Sequence, residues 1–248
     1  MTVRIKTSVN INDYIIDITV KVLRSQERIV GGEVTTVEEY PYIVSLRFRD
    51  KHICGGTIIS NRYILSAAHC LVKISPFLLT IIAGTSSKLE IGDIYFVQFP
   101  IMHTFNANNG SNDIALLRTL SNIRYHNRVQ PAELTDRDIN IDKYPVTMIG
   151  WGRLKYTGPT AEYLQKAELN IVDYNTCKRE WTFINQRHIC VGSTVQQGSC
   201  LGDSGGPLIA NDRLIGIISF GKMCAAGKPD VGTKVFYYKD WIHSYMLF

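Results

Sequence analysis

Gly202-Asp203-Ser204-Gly205-Gly206-Pro207 decides how this chain is read, together with Ala67-Ala68-His69-Cys70 far upstream. A serine hydroxyl is a weak nucleophile until a base within hydrogen-bond reach takes its proton. His69 offers such a base, and a third group must hold its imidazole in one tautomer. Asp113, in Asn112-Asp113-Ile114-Ala115-Leu116-Leu117, is the candidate, giving the chain order His69, Asp113, Ser204. Each residue alone has a bland explanation: a serine in a glycine-rich turn, a satisfied core histidine, an aspartate capping a turn. Together, in these contexts, they favour a catalytic triad.

With Ile29-Val30-Gly31-Gly32, Gly150-Trp151-Gly152 and Ser219-Phe220-Gly221 added in order, the chain resembles the trypsin/chymotrypsin family of serine endopeptidases from Ile29 to the C-terminus. A lone Gly-Asp-Ser-Gly is weak evidence, but ordered motifs along the whole chain are hard to explain as turns. The resemblance implies an all-β fold: two six-stranded antiparallel β-barrels, split near residues 130–145, with the active site between them and a C-terminal α-helix. It divides the chain into a pro-segment or N-terminal extension over 1–28 and a peptidase domain over 29–248. Within that domain, barrel one covers about 29–135, barrel two about 136–236 and the helix about 237–247.

The local patterns agree. Tyr42–Leu46, Thr57–Ile59, Leu79–Ile82, Val146–Ile149 and Leu214–Ile218 are β-rich runs between turns, as in barrels that close their own sheet edges. In Asp240-Trp241-Ile242-His243-Ser244-Tyr245-Met246, the residues Trp241, Ile242 and Tyr245 share one helical face.

Composition narrows the class. The chain has 248 residues, 45% hydrophobic and 20% charged, which suits one large or two small globular units. Its net charge of +5 is modest and no run of Lys or Arg suggests a nucleic-acid footprint. No stretch has the roughly 18 apolar residues that a spanning helix needs, so no membrane partner is expected.

Six cysteines, Cys54, Cys70, Cys177, Cys190, Cys200 and Cys224, allow many pairings by arithmetic alone. There is no Cys-x-x-Cys and no pair of closely spaced histidines, so disulfides are favoured over zinc. The family resemblance implies Cys54–Cys70, Cys177–Cys190 and Cys200–Cys224. Neither metal nor cofactor is expected; the loop between Gly84 and Gly92 offers only Glu90 toward calcium. Disulfides point to an oxidising, extracellular setting. Against that, Tyr14–Lys21 is interrupted by Asp17 and Lys21, where a signal peptide needs an unbroken apolar core. A wrong or truncated start reconciles the two.

The resemblance also implies roles. The backbone N–H groups of Gly202 and Ser204 form the oxyanion hole. Cleavage after Arg28 by a trypsin-like protease frees the α-amino group of Ile29, which pairs with Asp203 and orders the site. His52 occupies the position that holds this aspartate in the zymogen. Ser219 supports Asp113 from behind, and Ser219, Phe220 and Gly221 form the wall along which an extended substrate pairs like an added strand.

Specificity is the open question. Where trypsins carry an aspartate on the pocket floor, this chain has Gly198. Gly221 leaves the pocket mouth open, and Trp181 aligns with a tryptophan typical of chymotrypsins. These favour Phe, Tyr, Trp or Leu before the cut. Asp230, where a glycine is usual, adds an acid to the side wall, a pattern similar to collagenolytic arthropod proteases; it tolerates basic residues unless it points outward as a loop acid. The expected function is therefore a secreted, monomeric serine endopeptidase, chymotrypsin-like with broadened specificity. Its partners would be protein or peptide substrates and protein protease inhibitors. A trypsin-like preference through Asp230, or a non-catalytic binding homologue, are the alternatives. Asn109-Gly110-Ser111 fits the N-glycosylation pattern and equally fits a plain turn.

Overall fold

The protein is described by a computed structural model covering residues 4–11 and 14–21, for which only the backbone is considered, and residues 31–192, 197–222 and 224–246. Arg28, Ile29 and Val30 lie outside the described residues. Strands β1 (Arg4–Ile11) and β2 (Tyr14–Lys21) form an antiparallel hairpin. After the two-residue β3 (Glu33–Val34), the first barrel uses β4 (Ile43–Phe48), β5 (Lys51–Ile58), β6 (Tyr63–Ser66), β7 (Leu79–Ala83), β8 (Asp93–Met102) and β9 (Ala115–Thr119). These close in the order β4-β5-β6-β9-β8-β7, with β7 returning to β4.

A short β10 (Glu133–Leu134) leads to the second barrel: β11 (Pro145–Gly150), β12 (Gln165–Val172), β13 (His188–Gly192), β14 (Pro207–Ala210), β15 (Arg213–Phe220) and β16 (Asp230–Lys234). Its ring runs β15-β14-β11-β12-β13-β16 and closes through β15 against β16. Helix α1 (Tyr174–Glu180) precedes β13, and α2 (Lys239–Met246) ends the described chain. The fold is thus the two-barrel architecture expected from the sequence.

Strand chemistry explains the closure. Along β12, Gln165, Ala167, Leu169 and Ile171 are buried while Glu168 and Asn170 are exposed, the period-two pattern of a sheet with one face inward. Strand β5 is longer than its β-rich sequence end, because Gly55-Gly56 breaks the apolar pattern. Glycine is required there: a Cβ on Gly55 would lie 2.9 Å from the Gly206 Cα of the other barrel. Through that gap the Gly55 N–H donates to the Ser204 carbonyl at 2.8 Å, joining the barrels at the candidate nucleophile. Trp151 is buried and its indole N–H donates to the Ser86 carbonyl at 3.0 Å, a second link. Ile149, Leu164, Ile209, Leu214 and Ile217 of the second barrel share one hydrophobic cluster with the core of the first.

Helix α2 packs as its spacing predicts. Ile242 is fully buried, and Trp241 and Tyr245 lie against the same core with ring centroids 5.7 Å apart. His103 sits edge-on to Tyr238 and Trp241, at 5.2 and 5.3 Å, and so ties the helix to the first barrel.

Candidate active site

Three carriers meet in the cleft. His69 lies in the single 3-10 turn Ala68–Cys70 after β6, Asp113 just before β9, and Ser204 in the turn before β14. The Cys54–Cys70 disulfide anchors the residue beside His69; Cys177–Cys190 and Cys200–Cys224 are also bonded, so all six cysteines pair as the resemblance implies. The one trio of metal-capable side chains among the described residues, Cys54, His69 and Cys70, therefore has no thiolate to offer.

Asp113, only 2% exposed, receives three hydrogen bonds. The His69 backbone N–H donates to Oδ1 at 2.8 Å, the His69 Nδ1–H donates to Oδ2 at 2.7 Å, and the Ser219 hydroxyl donates to Oδ2 at 2.5 Å. A carboxylate accepts only, so Nδ1 must carry the proton and Nε2 is left with its lone pair. That is the tautomer a general base needs. Nε2 lies 3.7 Å from the Cys70 sulfur and makes no hydrogen bond to Ser204. The Ser204–His69 contact expected from the sequence is thus not closed in this arrangement.

Around Ser204 the backbone is arranged by glycine. Gly202 has φ +102°, and a Cβ on Gly205 would lie 2.2 Å from the Ser66 Oγ. Among the described residues, the N–H groups of Gly202 and Ser204 have no protein acceptor, whereas those of Asp203, Gly205 and Gly206 bond to Cys200, Ile218 and Asp203 carbonyls. Two free donors, on the serine itself and two residues before it, can receive a developing oxyanion.

Asp203 is fully buried. It accepts from the Gly152 N–H at 2.7 Å and the Cys200 N–H at 2.9 Å. Burial pushes its carboxyl up to about 7, opposed by those two bonds and the nearby ammonium of Lys88, itself pushed down to about 8 by burial. His52 bonds elsewhere than to Asp203 in this arrangement. Its Nε2–H donates to the Gly202 carbonyl at 2.9 Å, and in the neutral ring its Nδ1 accepts from the Ser45 hydroxyl at 2.8 Å. Burial holds it there, lowering its pKa to about 4. His52 thus fixes the Gly202 loop through a carbonyl.

A cavity of about 380 Å³ opens beside Ser204, lined by Ser199, Cys200, Ser219, Phe220 and Gly221 among others. Gly198 is buried just before Ser199 and does not itself line the space. Asp230 points inward, so the outward-loop alternative is overturned. Its carboxylate is 2% exposed, accepts from the Ser199 N–H at 2.6 Å and lies against Gly221. Burial raises its pKa to about 6. Trp181 is not a lining residue. It stacks edge-on behind Phe220 at 5.2 Å, and its indole N–H donates to the Pro229 carbonyl at 2.9 Å, bracing the segment that delivers Asp230. A second cavity, of about 390 Å³, continues the cleft past His69, Phe105, Asn108, Phe183 and Phe220.

Four positioning residues carry no sequence signature. Asn112 adopts φ +56° and is pinned by Thr104, Arg187 and Tyr238, the last donating its hydroxyl at 2.8 Å. Thr233 of β16 donates its hydroxyl to the Asp113 carbonyl at 2.9 Å. A positive φ is common for asparagine, so Asn112 before Asp113 was the only hint available.

Comparison with known proteins agrees with this geometry. The trypsin family description matches residues 29–242. Chymotrypsin-2 of Vespa crabro is 41% identical over 220 residues, covering 88% of this chain and all of that protein. Alkaline trypsin C of Manduca sexta is 35% identical, covering 87% of this chain and 90% of its own. Among solved structures, neuropsin, a serine protease of mouse brain, aligns with a TM-score of 0.81 at 29% identity, covering 87% of this chain and 98% of its own. The chain belongs to the trypsin family and is a serine endopeptidase.

Proposed function

We propose that this endopeptidase is secreted, is activated by cleavage after Arg28, and cuts chiefly after large apolar residues with tolerance for basic ones. Ser204 attacks the scissile carbonyl and His69 takes its proton, later returning it to the leaving amine. Asp113 holds the imidazole and stabilises the imidazolium, while the N–H groups of Gly202 and Ser204 receive the oxyanion. The observation that carries this reading is the Asp113 carboxylate, which fixes His69 by both its backbone and ring N–H groups.

Activation rests on the chemistry of Asp203. Among the described residues this fully buried carboxylate is hydrogen-bonded by two neutral N–H donors, so it gains from a cation, and the freed α-amino group of Ile29 is the proposed one. A trypsin-like protease would make the cut. Three disulfides support an extracellular location. Protein substrates and protein protease inhibitors would share the cleft, and the enzyme would act as a monomer.

A second specificity reading, for Arg or Lys, is favoured by one observation: the Asp230 carboxylate borders the residues that line the cavity. A cleavage profile of the Arg28-cleaved protein on a mixed peptide library separates the two, with Ser204→Ala as control. Cuts after Phe, Tyr, Trp or Leu that vanish in the control support the first reading, and cuts chiefly after Arg or Lys the second. No Ser204-dependent cutting would overturn both.

A further inference from the structure

Asn109-Gly110-Ser111 is the only Asn-x-Ser/Thr triplet in the sequence, and the fold presents it in an unusual place. The segment from Asn106 to Ser111 is a small hairpin, with the Asn106 N–H donating to the Ser111 carbonyl at 2.9 Å. At its tip the Asn109 side-chain carbonyl accepts the Ser111 N–H at 3.0 Å. This Asx turn leaves the Asn109 Nδ2 without a protein partner among the described residues, and Asn109 is partly exposed. Gly110, at φ +65°, makes the turn.

The tip is anchored over the cleft. A Cβ on Gly110 would lie 3.1 Å from the Phe220 ring, and His188 of the second barrel donates to the Gly110 carbonyl. Asn109 and Gly110 line the same cavity as His69, Phe183 and Phe220. A group attached to Asn109 therefore stands at the rim of the channel beyond Phe220, where an extended substrate would lie.

We propose that Asn109 carries an N-linked glycan, and that this glycan restricts the cleft to short or flexible substrates. In the transfer, the Asn109 amide nitrogen bonds to the anomeric carbon of a lipid-diphosphate-linked oligosaccharide. The bond from that carbon to the diphosphate oxygen breaks, the lipid diphosphate leaves, and the amide gives up one proton. The proposal rests on the secreted-peptidase reading, since the donor exists only in a secretory compartment.

The test uses the full chain, made in eukaryotic cells behind a host secretion signal and then cleaved after Arg28. The medium-borne protein should carry a hexose-rich mass increment mapping to Asn109, lost in Ser111→Ala and retained in Ser111→Thr. Native deglycosylation should raise kcat/KM for a folded protein substrate by about fivefold, with a single-residue ester unchanged. Ser111→Ala should match the deglycosylated wild type. Secreted protein without a glycan overturns the site. A glycan whose removal leaves the protein substrate and the ester equally affected overturns the restriction. Loss of Ser204-dependent ester hydrolysis would instead indict the peptidase reading, since the mass measurement does not depend on activity.

Discussion

The Asp230 carboxylate lies so close behind Gly221 that a Cβ on Gly221 would sit 2.1 Å from its Oδ1. The open pocket mouth and the wall acid are therefore one feature, because only glycine at 221 leaves room for Asp230. We expect Gly221→Ala to lower kcat/KM on every substrate by about tenfold or more, equivalent to roughly 1.4 kcal/mol. The accompanying check is an unchanged far-ultraviolet circular dichroism spectrum.

Asp230 also predicts a pH-dependent preference. Burial raises its carboxyl to about 6, so below that pH the wall is neutral and above it anionic. The ratio of kcat/KM for an Arg substrate to that for a Phe substrate should rise as pH climbs through about 6. Taking the ratio cancels the titration of the catalytic groups common to both. In Asp230→Asn the ratio should be flat; a flat ratio in the unaltered enzyme would remove Asp230 from substrate selection.

Asp113 sets a third expectation. Asn in its place can donate an N–H toward His69 and so favours the wrong tautomer. In the serine-protease case from which this triad logic comes, the same change lowers kcat by about 10⁴. We expect a similar loss for Asp113→Asn, read by burst and steady-state kinetics on an ester, with a melting temperature near that of the parent.

Asp203 couples activation to stability. Its folded pKa of about 7 lies above the ordinary carboxylate value, so between the two the folded chain holds a proton that the unfolded chain has released. That contribution to stability is full at low pH and declines as pH rises toward 7. A cation beside Asp203 lowers its pKa and removes the decline. Melting temperature against pH should therefore fall more steeply for the uncleaved chain than for the Arg28-cleaved one. Asp203→Asn should flatten both curves and abolish most activity; undiminished activity would refute the switch.

Ile242 tests the seam under α2. It is fully buried in the core shared with the first barrel, so Ile242→Ala should destabilise by about 2–5 kcal/mol in urea unfolding.

What could be read in the sequence was chemistry carried by local runs. His69, Asp113 and Ser204 each stand in a motif, so the chain order was accessible, while the pairing of the six cysteines came only from the family resemblance. Residues that act only through approach of distant strands were not. Thr233 reaches the Asp113 carbonyl from β16, and Arg187 reaches Asn112 from the second barrel. Neither has a spacing relation to the residue it holds. The position of His52 was legible, and its partners here, the Ser45 hydroxyl and the Gly202 carbonyl, were not. The contacts of Trp181 were equally hidden: it stands edge-on to Phe220 and donates its indole N–H to the Pro229 carbonyl.

The Gly55 to Ser204 bond has a consequence for dividing the protein. The Ser204 peptide is built by one half of the chain and held by the other. Neither half expressed alone would contain a finished site, so two fragments split near residue 140 would regain catalysis only on reassembly. Hydrolysis would then report directly on whether the halves have found each other.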